Sequence, residues 1–364
     1  MKKYFVISFL LLLISSYSSA NPSISNVSGT MEDGQTITIT GSSFGSGPTI
    51  VLFDDFSSGT PGQTHSSNAT VGTWSGTDCI IFEDSELSQE KGARCIDSPG
   101  QLTSVVTFST TQEVFVSSIV YVPDGYYFPS AESEETYPDQ ASMKHFWIMY
   151  SSDGYSNSAD PDYFIGAWTG SSWYRVGSND GGGPSTFDTG GTDFQWDIPN
   201  RWSIWIKGNG TSVSGTDGMF QNVNSNSMVQ TDYANFKAWF IGSHTTYGFD
   251  RVNVVGYVRS GANYSYGQNW VIDDMYVAAG SNAAARVEIG DENTYSNCRQ
   301  LAIITPTSWS TTSITATVRQ GLFDTSDTVY LYVIDSSNDV STSYGPLTVG
   351  ASAAETSAKG ITIQ

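Results

Sequence analysis

Short runs in which apolar and polar residues alternate recur along the chain. Among them are "QTITITG", "TSVVTF", "EVFVSSIVYV", "KHFWIMY", "WSIWIKG", "VNVVGYV", "WVIDDMYV", "TSITATV" and "TVYLYVI". Alternation with period two sends successive side chains to opposite faces of a strand, one buried and one not. The runs are rich in Val, Ile, Thr, Tyr and Trp, and Gly, Asn, Asp and Ser stretches separate them. Long helical periodicity is absent beyond the first twenty residues, so the pattern predicts an all-β protein with long loops. In "WSIWIKG", Trp202, Ile204 and Ile206 form the expected core face, and Ser203, Trp205 and Lys207 point the opposite way. In "MKHFWIMY", Met143, His145, Trp147 and Met149 share one face, and Lys144, Phe146, Ile148 and Tyr150 share the other.

The first twenty residues follow a different rule. Lys2 and Lys3 precede an apolar run from Tyr4 to Ile14, and small residues stand at Ser18 and Ala20. This predicts a bacterial-type signal peptide cleaved after Ala20, and a secreted or cell-surface protein. The run is shorter than the roughly 20 residues that span a bilayer. No second apolar segment of that length follows, so no membrane span is expected in the mature protein. The formal charge is −21, from 15 basic and 36 acidic residues. Such a field repels polyanions, and no basic run offsets it, so nucleic acid is not an expected partner. Three cysteines occur. Cys79 and Cys95 are close in sequence within a turn-rich segment and can pair after export, closing a loop worth about 3 kcal/mol in the entropic account. Cys298 is left over.

The two ends of the chain look like parts of one domain. Residues 22–45, "PSISNVSGTMEDGQTITITGSSFG", supply a strand, a glycine turn, an alternating strand and a Gly-x-x-Phe-Gly turn. Two strands cannot close a core alone. Through Pro22, Ile24, Gly34, Ile37, Ile39, Gly41, Phe44 and Gly45 the segment resembles the opening of IPT/TIG immunoglobulin-like domains. In that resemblance the next strand should follow soon after. The matching run, "ARVEIGD", comes only at residues 285–291, with "WSTTSITATV" and "TVYLYVIDSSNDVSTSYGPLTV" beyond it. The expectation is a split Ig-like domain, residues 21–48 and 284–350, with residues 49–283 inserted as a second domain. Residues 351–364 read as a flexible tail.

The insert opens with "TIVLFDDFSSGTPG" and closes with "NWVIDDMYVAAG". The Phe-Asp-Asp-Phe opening, the "RWSIWIKG" strand, the "GTDGMF" loop and the closing Ile-Asp-Asp strand resemble concanavalin A-like jelly rolls. That group includes lectins, laminin-G-like modules, polysaccharide lyases and glycoside hydrolases. The resemblance implies that the first and last strands are neighbours. Asp54 and Asp274, each on a strand face beside glycine-rich turns, are then candidate ligands for a hard cation such as Ca²⁺.

Aromatic and polar residues suggest what the jelly roll does. Aromatic faces stack on the C–H faces of sugars, and Asn, Asp, Arg and Lys pair with the hydroxyls. Trp173, Arg175, Trp205, Lys207 and His145 are the expected glycan-binding cluster on a concave sheet. Catalytic signatures are weaker. The Glu-x-Asp-x-x-Glu strand of retaining glucanases is absent, as are the Arg-x-Glu-x-Arg and Gln-x-His strands of β-jelly-roll alginate lyases. No metal-type histidine spacing and no Gly-x-Ser-x-Gly elbow occur. A lyase of another kind would draw its base from His145 or Tyr150 and its charge stabiliser from Lys144 or Arg175. Lys144 and His145, as neighbours on a regular strand, would point apart. The sequence therefore reads as a polysaccharide-binding or adhesion protein, its Ig-like part docking it at a cell surface. A divergent lyase or hydrolase and a purely structural surface protein are the alternatives.

Overall fold

The computed structural model describes residues 20–77, 79–95, 104–121, 143–149, 162–167, 174–179, 184–188, 195, 197–207, 216–236, 248–254 and 270–353. In chain order the strands begin with β1 (Ser23–Gly29), β2 (Thr36–Ser42), β3 (Ile50–Asp54), β4 (Val71–Gly72), β5 (Ile80–Glu83), β6 (Lys91–Cys95), β7 (Ser104–Thr111) and β8 (Glu113–Tyr121). They continue with β9 (Met143–Met149), β10 (Asp162–Ala167), β11 (Tyr174–Asn179), β12 (Pro184–Asp188), β13 (Asn200–Lys207), β14 (Thr216–Asn224), β15 (Ser227–Phe236), β16 (Phe249–Val254) and β17 (Trp270–Ala279). The last are β18 (Arg286–Gly290), β19 (Leu301–Trp309), β20 (Ser313–Thr317), β21 (Thr328–Ile334) and β22 (Tyr344–Thr348). The fold is all-β, as the alternating runs require: the described helices are two short 3₁₀ turns.

Two sheets face each other as a sandwich. One runs β12-β11-β10-β9-β16-β7, and the other runs β15-β14-β13-β8-β17-β3-β4, with β6 paired to β17 and β5 to β6. A single core fills the space between them. Phe146, Ile148, Val252 and Val254 come from the six-stranded sheet, and Val116, Trp202, Ile204, Ile206, Ile272 and Val277 from the larger one. The alternation in β13 thus holds: Trp202, Ile204 and Ile206 are the core face. As in a jelly roll, the opening strand β3 pairs antiparallel with the closing strand β17, Asp54 opposite Met275.

The third sheet takes strands from both ends of the chain, in the order β1-β2-β20-β19-β18-β21-β22. It curls until β1 meets β21 and β22, and Met31 exchanges backbone hydrogen bonds with Gly350 and Ala351. Its core includes Val27, Ile37, Ile39, Phe44, Ile304, Ile314, Leu331 and Val333.

This third sheet covers the outer face of the larger sandwich sheet. Phe53, Phe115, Trp205, Met219 and Tyr276 pack with Ala283, Ala284 and Ile303. Val223 packs with Leu301, Tyr332 and Ile334. Charge crosses the same seam. Arg201 on β13 donates to Glu288 on β18 at 2.7 Å, and Arg286 donates to the same oxygen at 2.9 Å. Tyr295 closes the network by donating to the other Glu288 oxygen at 2.6 Å. Glu288 is fully buried. Burial would raise its pKa, but Arg286 and Arg201 outweigh that and hold it down at about 2.

Candidate functional site

The six-stranded sheet carries the candidate binding face. Val106, Phe146, Ile148, Val252 and Val254 turn into the core. In register, one row across the strands runs Val176, Ile165, Phe146, Val254, and the next Tyr163, Ile148, Val252, Val106. Other rows alternate with these. One holds Gly177, Phe164, Trp147 and Asn253, and another pairs Met149 with Arg251.

A β-bulge changes the residues of the next row. Along β9, Phe146 stands opposite Ile165, but Lys144 stands opposite Gly166. His145 is the extra residue. Lys144, Gly166, Arg175 and Asp188 stand in one row across the strands. The regular strand on which the sequence set Lys144 and His145 is therefore interrupted at His145. The side chains of Lys144, His145, Trp147 and Arg175 lie outside the described residues, as do Tyr150 and Trp173 entirely.

Trp205 and Lys207 do not belong to this face. They sit on β13, in the other sheet, on the side turned away from the sandwich core. His145 and Arg175 stand on β9 and β11, so the expected cluster is divided between the two sheets of the sandwich. Trp205 is also covered: it is 5% exposed and packs beneath the third sheet. Its indole donates to Glu113 at 3.1 Å. Lys207 reaches past it, its ammonium 5.9 Å from the Trp205 ring and 4.0 Å from Glu113.

The two aspartate pairs do lie side by side at the β3–β17 seam, but a second bulge separates Asp54 from Asp274. The β17–β8 register jumps from Asp273 opposite Ile119 to Tyr276 opposite Ser117. Asp274 takes the left-handed backbone, φ 46°. Ile272 and Met275 consequently share the core, whereas unbroken alternation groups Ile272 with Asp274. Asp54 faces inward, accepting from the Trp74 indole at 2.7 Å and the Phe56 amide at 3.0 Å. Burial pushes its carboxyl up to about 6 against those hydrogen bonds, with the Asp55 charge adding to the rise. Asp274 instead feels burial first, then the charge of Asp55, with Arg201 opposing, and its carboxyl is raised. The expected Asp54–Asp274 cation pair is thus split by the sheet. Among the described residues no three His, Cys, Asp or Glu side chains are grouped to hold a metal ion.

Asp273 is fully buried and accepts from the Ser88 amide at 2.7 Å. Burial and the neighbouring Asp274 raise its carboxyl well above the usual range. Cys79 is buried and disulfide-bonded, and Cys298 is a buried free thiol. The Cys95 side chain lies outside the described residues.

No protein-family model and no curated protein matches the chain. Solved structures resemble it. Alginate lyase Aly36B is 11% identical, with a TM-score of 0.41, over 64% of this chain and 98% of that one. The PL-14 alginate lyase from Aplysia kurodai is 8% identical, with a TM-score of 0.37, over 55% of this chain and 87% of that one. The carbohydrate-binding module CBM66 from Bacillus subtilis is 12% identical, with a TM-score of 0.28, over 57% of this chain and 95% of that one.

Proposed function

We propose that this is an exported polysaccharide-binding protein that holds an extended glycan across the outward face of the six-stranded sheet. Residues 49–283 form the binding domain in this reading. Residues 21–48 and 284–350 form an Ig-like domain that docks the protein at a cell surface. The observation that carries the reading is the bulge at His145. It brings Lys144 and Arg175 into one row across the strands, with Phe164, Trp147 and the buried Asn253 in another. Neighbouring strands are about 4.8 Å apart, close to the length of one pyranose unit. In this reading a chain crossing the strands passes one such residue at each sugar. Affinity electrophoresis against a panel of polysaccharides tests this. Arg175→Ala and Lys144→Ala are expected to weaken retention about tenfold, near 1.4 kcal/mol, without changing Tm. Equal retention of wild type and both variants overturns it.

The same bulge favours a second reading, a polysaccharide lyase. It interrupts the regular alternation by which His145 and Lys144 were expected to point apart. His145 would then take the proton beside a uronate carboxylate while Lys144 or Arg175 steadies the resulting charge. Release of unsaturated product, seen as new ultraviolet absorbance and lost in His145→Ala, distinguishes it from binding alone.

A further inference from the structure

A cavity of about 550 Å³ lies on the opposite side of the larger sheet from the sandwich core, where that sheet meets the third one. The loop at 85–90, the ends of β13 and β14, the segment 299–301 and the turn at 320–325 surround it, and it opens to solvent. Its volume falls within the range of small-molecule sites. Its rim is strongly polar. Glu86, Gln89, Glu90, Arg299 and Asp324, all exposed, and the half-buried Gln300 line it. Not one of these side chains makes a hydrogen bond or ion pair among the described residues, so each is free to meet a ligand. Arg201 also lines it, and is 6% exposed. Its Nε and Nη2 are satisfied by Ser117 and Glu288, but its buried Nη1 has no acceptor. A buried donor of that kind calls for water or a ligand.

The backbone adds a second observation. Gln89 and Glu90 hold left-handed φ values of 51° and 58°. Strain in consecutive non-glycine residues persists only where the surroundings enforce it, and such residues cluster at ligand sites. Here the Ser88 amide between them and Leu87 is pinned to buried Asp273.

We infer that this cavity is a second carbohydrate site, for a neutral sugar of one or two rings, distinct from the sheet face. The lining offers donors from Arg201, Arg299, Gln89 and Gln300 and acceptors from Glu86, Glu90 and Asp324. An anion would meet three carboxylates and a cation two guanidinium groups. A polyhydroxylated ligand both donates and accepts, and so can satisfy both sets. Leu87, Pro199 and Leu322 supply apolar wall for its C–H faces.

Calorimetric titration of the full mature chain with cellobiose and with lactose tests the inference, with galacturonate and spermidine as charged probes. One of the neutral disaccharides is expected to bind wild type. That binding should fall at least about tenfold in Arg299→Ala and in Asp324→Ala, at unchanged Tm, and stay intact in Arg175→Ala. Gln300→Trp, which fills the cavity, should abolish it. The inference is overturned if neither disaccharide binds, if the cavity variants bind like wild type, or if a charged probe binds more tightly. Loss in Arg175→Ala alone would also overturn it while supporting the sheet-face site.

Discussion

Asp54 shows how one buried carboxylate couples this fold to pH. Its pKa stands near 6 against a usual 3.8, chiefly through burial. The folded state therefore binds the proton more tightly than the unfolded chain. Stability from this group is greatest below pH 4 and falls as pH rises through about 6. Asp273 and Asp274, also raised, act in the same direction. Asp54→Asn removes the charge and one of the two acceptors that Phe56 and Trp74 use. It should flatten the decline between pH 4.5 and 7.5. Urea denaturation at pH 4.5, 6 and 7.5 would show this, and an unchanged slope would refute the burial account. Trp205 makes a complementary case. Buried beneath the third sheet, it should cost about 3–5 kcal/mol on replacement by Ala and leave polysaccharide retention per folded molecule unchanged.

At the scale of the element, regular strands and bulged strands behave differently. Period-two alternation correctly assigns Trp202, Ile204 and Ile206 to the core because β13 pairs without interruption with β8 and β14. The same rule fails at Asp274 on β17, where the ladder skips, and β9 carries a similar interruption at His145. A bulge is a property of the pairing, so a strand's own sequence carries little trace of it. Asp at a left-handed position is a faint signal, since Asn, Asp and Gly tolerate it best. Asp274→Gly should therefore be accommodated, whereas Asp274→Val should cost about 1–3 kcal/mol more. Paired urea titrations of the two variants check this. Equal stability would mean that the left-handed backbone is not what the position demands.

For the whole molecule, the seam between the third sheet and the sandwich is the deciding feature. It joins an apolar patch around Phe115, Trp205 and Tyr276 to the Arg201–Glu288–Arg286–Tyr295 network. Removing one member of a buried pair leaves the other charged and unpaired. Glu288→Ala should cost about 3–5 kcal/mol, with Glu288→Gln costing less. Because the seam buries both apolar and ionic groups, scanning calorimetry of wild type should give one unfolding transition. Two well-separated transitions would show that the two parts unfold independently. Arg201 and Glu288 are 87 positions apart, so nothing in the neighbourhood of either residue announces the pairing.

The sequence by itself determined that the protein is all-β, which runs are strands, and which face of a regular strand enters a core. These follow from local alternation and side-chain shape. Tertiary structure alone decided what covers the opposite faces. Trp205 has the same alternation whether it meets solvent, a glycan or another sheet, and only the arrival of the third sheet buries it. Tertiary pairing also placed the two bulges, which set Lys144 opposite Gly166 and parted Asp54 from Asp274. The physical reason is common to these cases. A strand's pattern specifies two sides, but what lies against each side is set by segments distant in sequence.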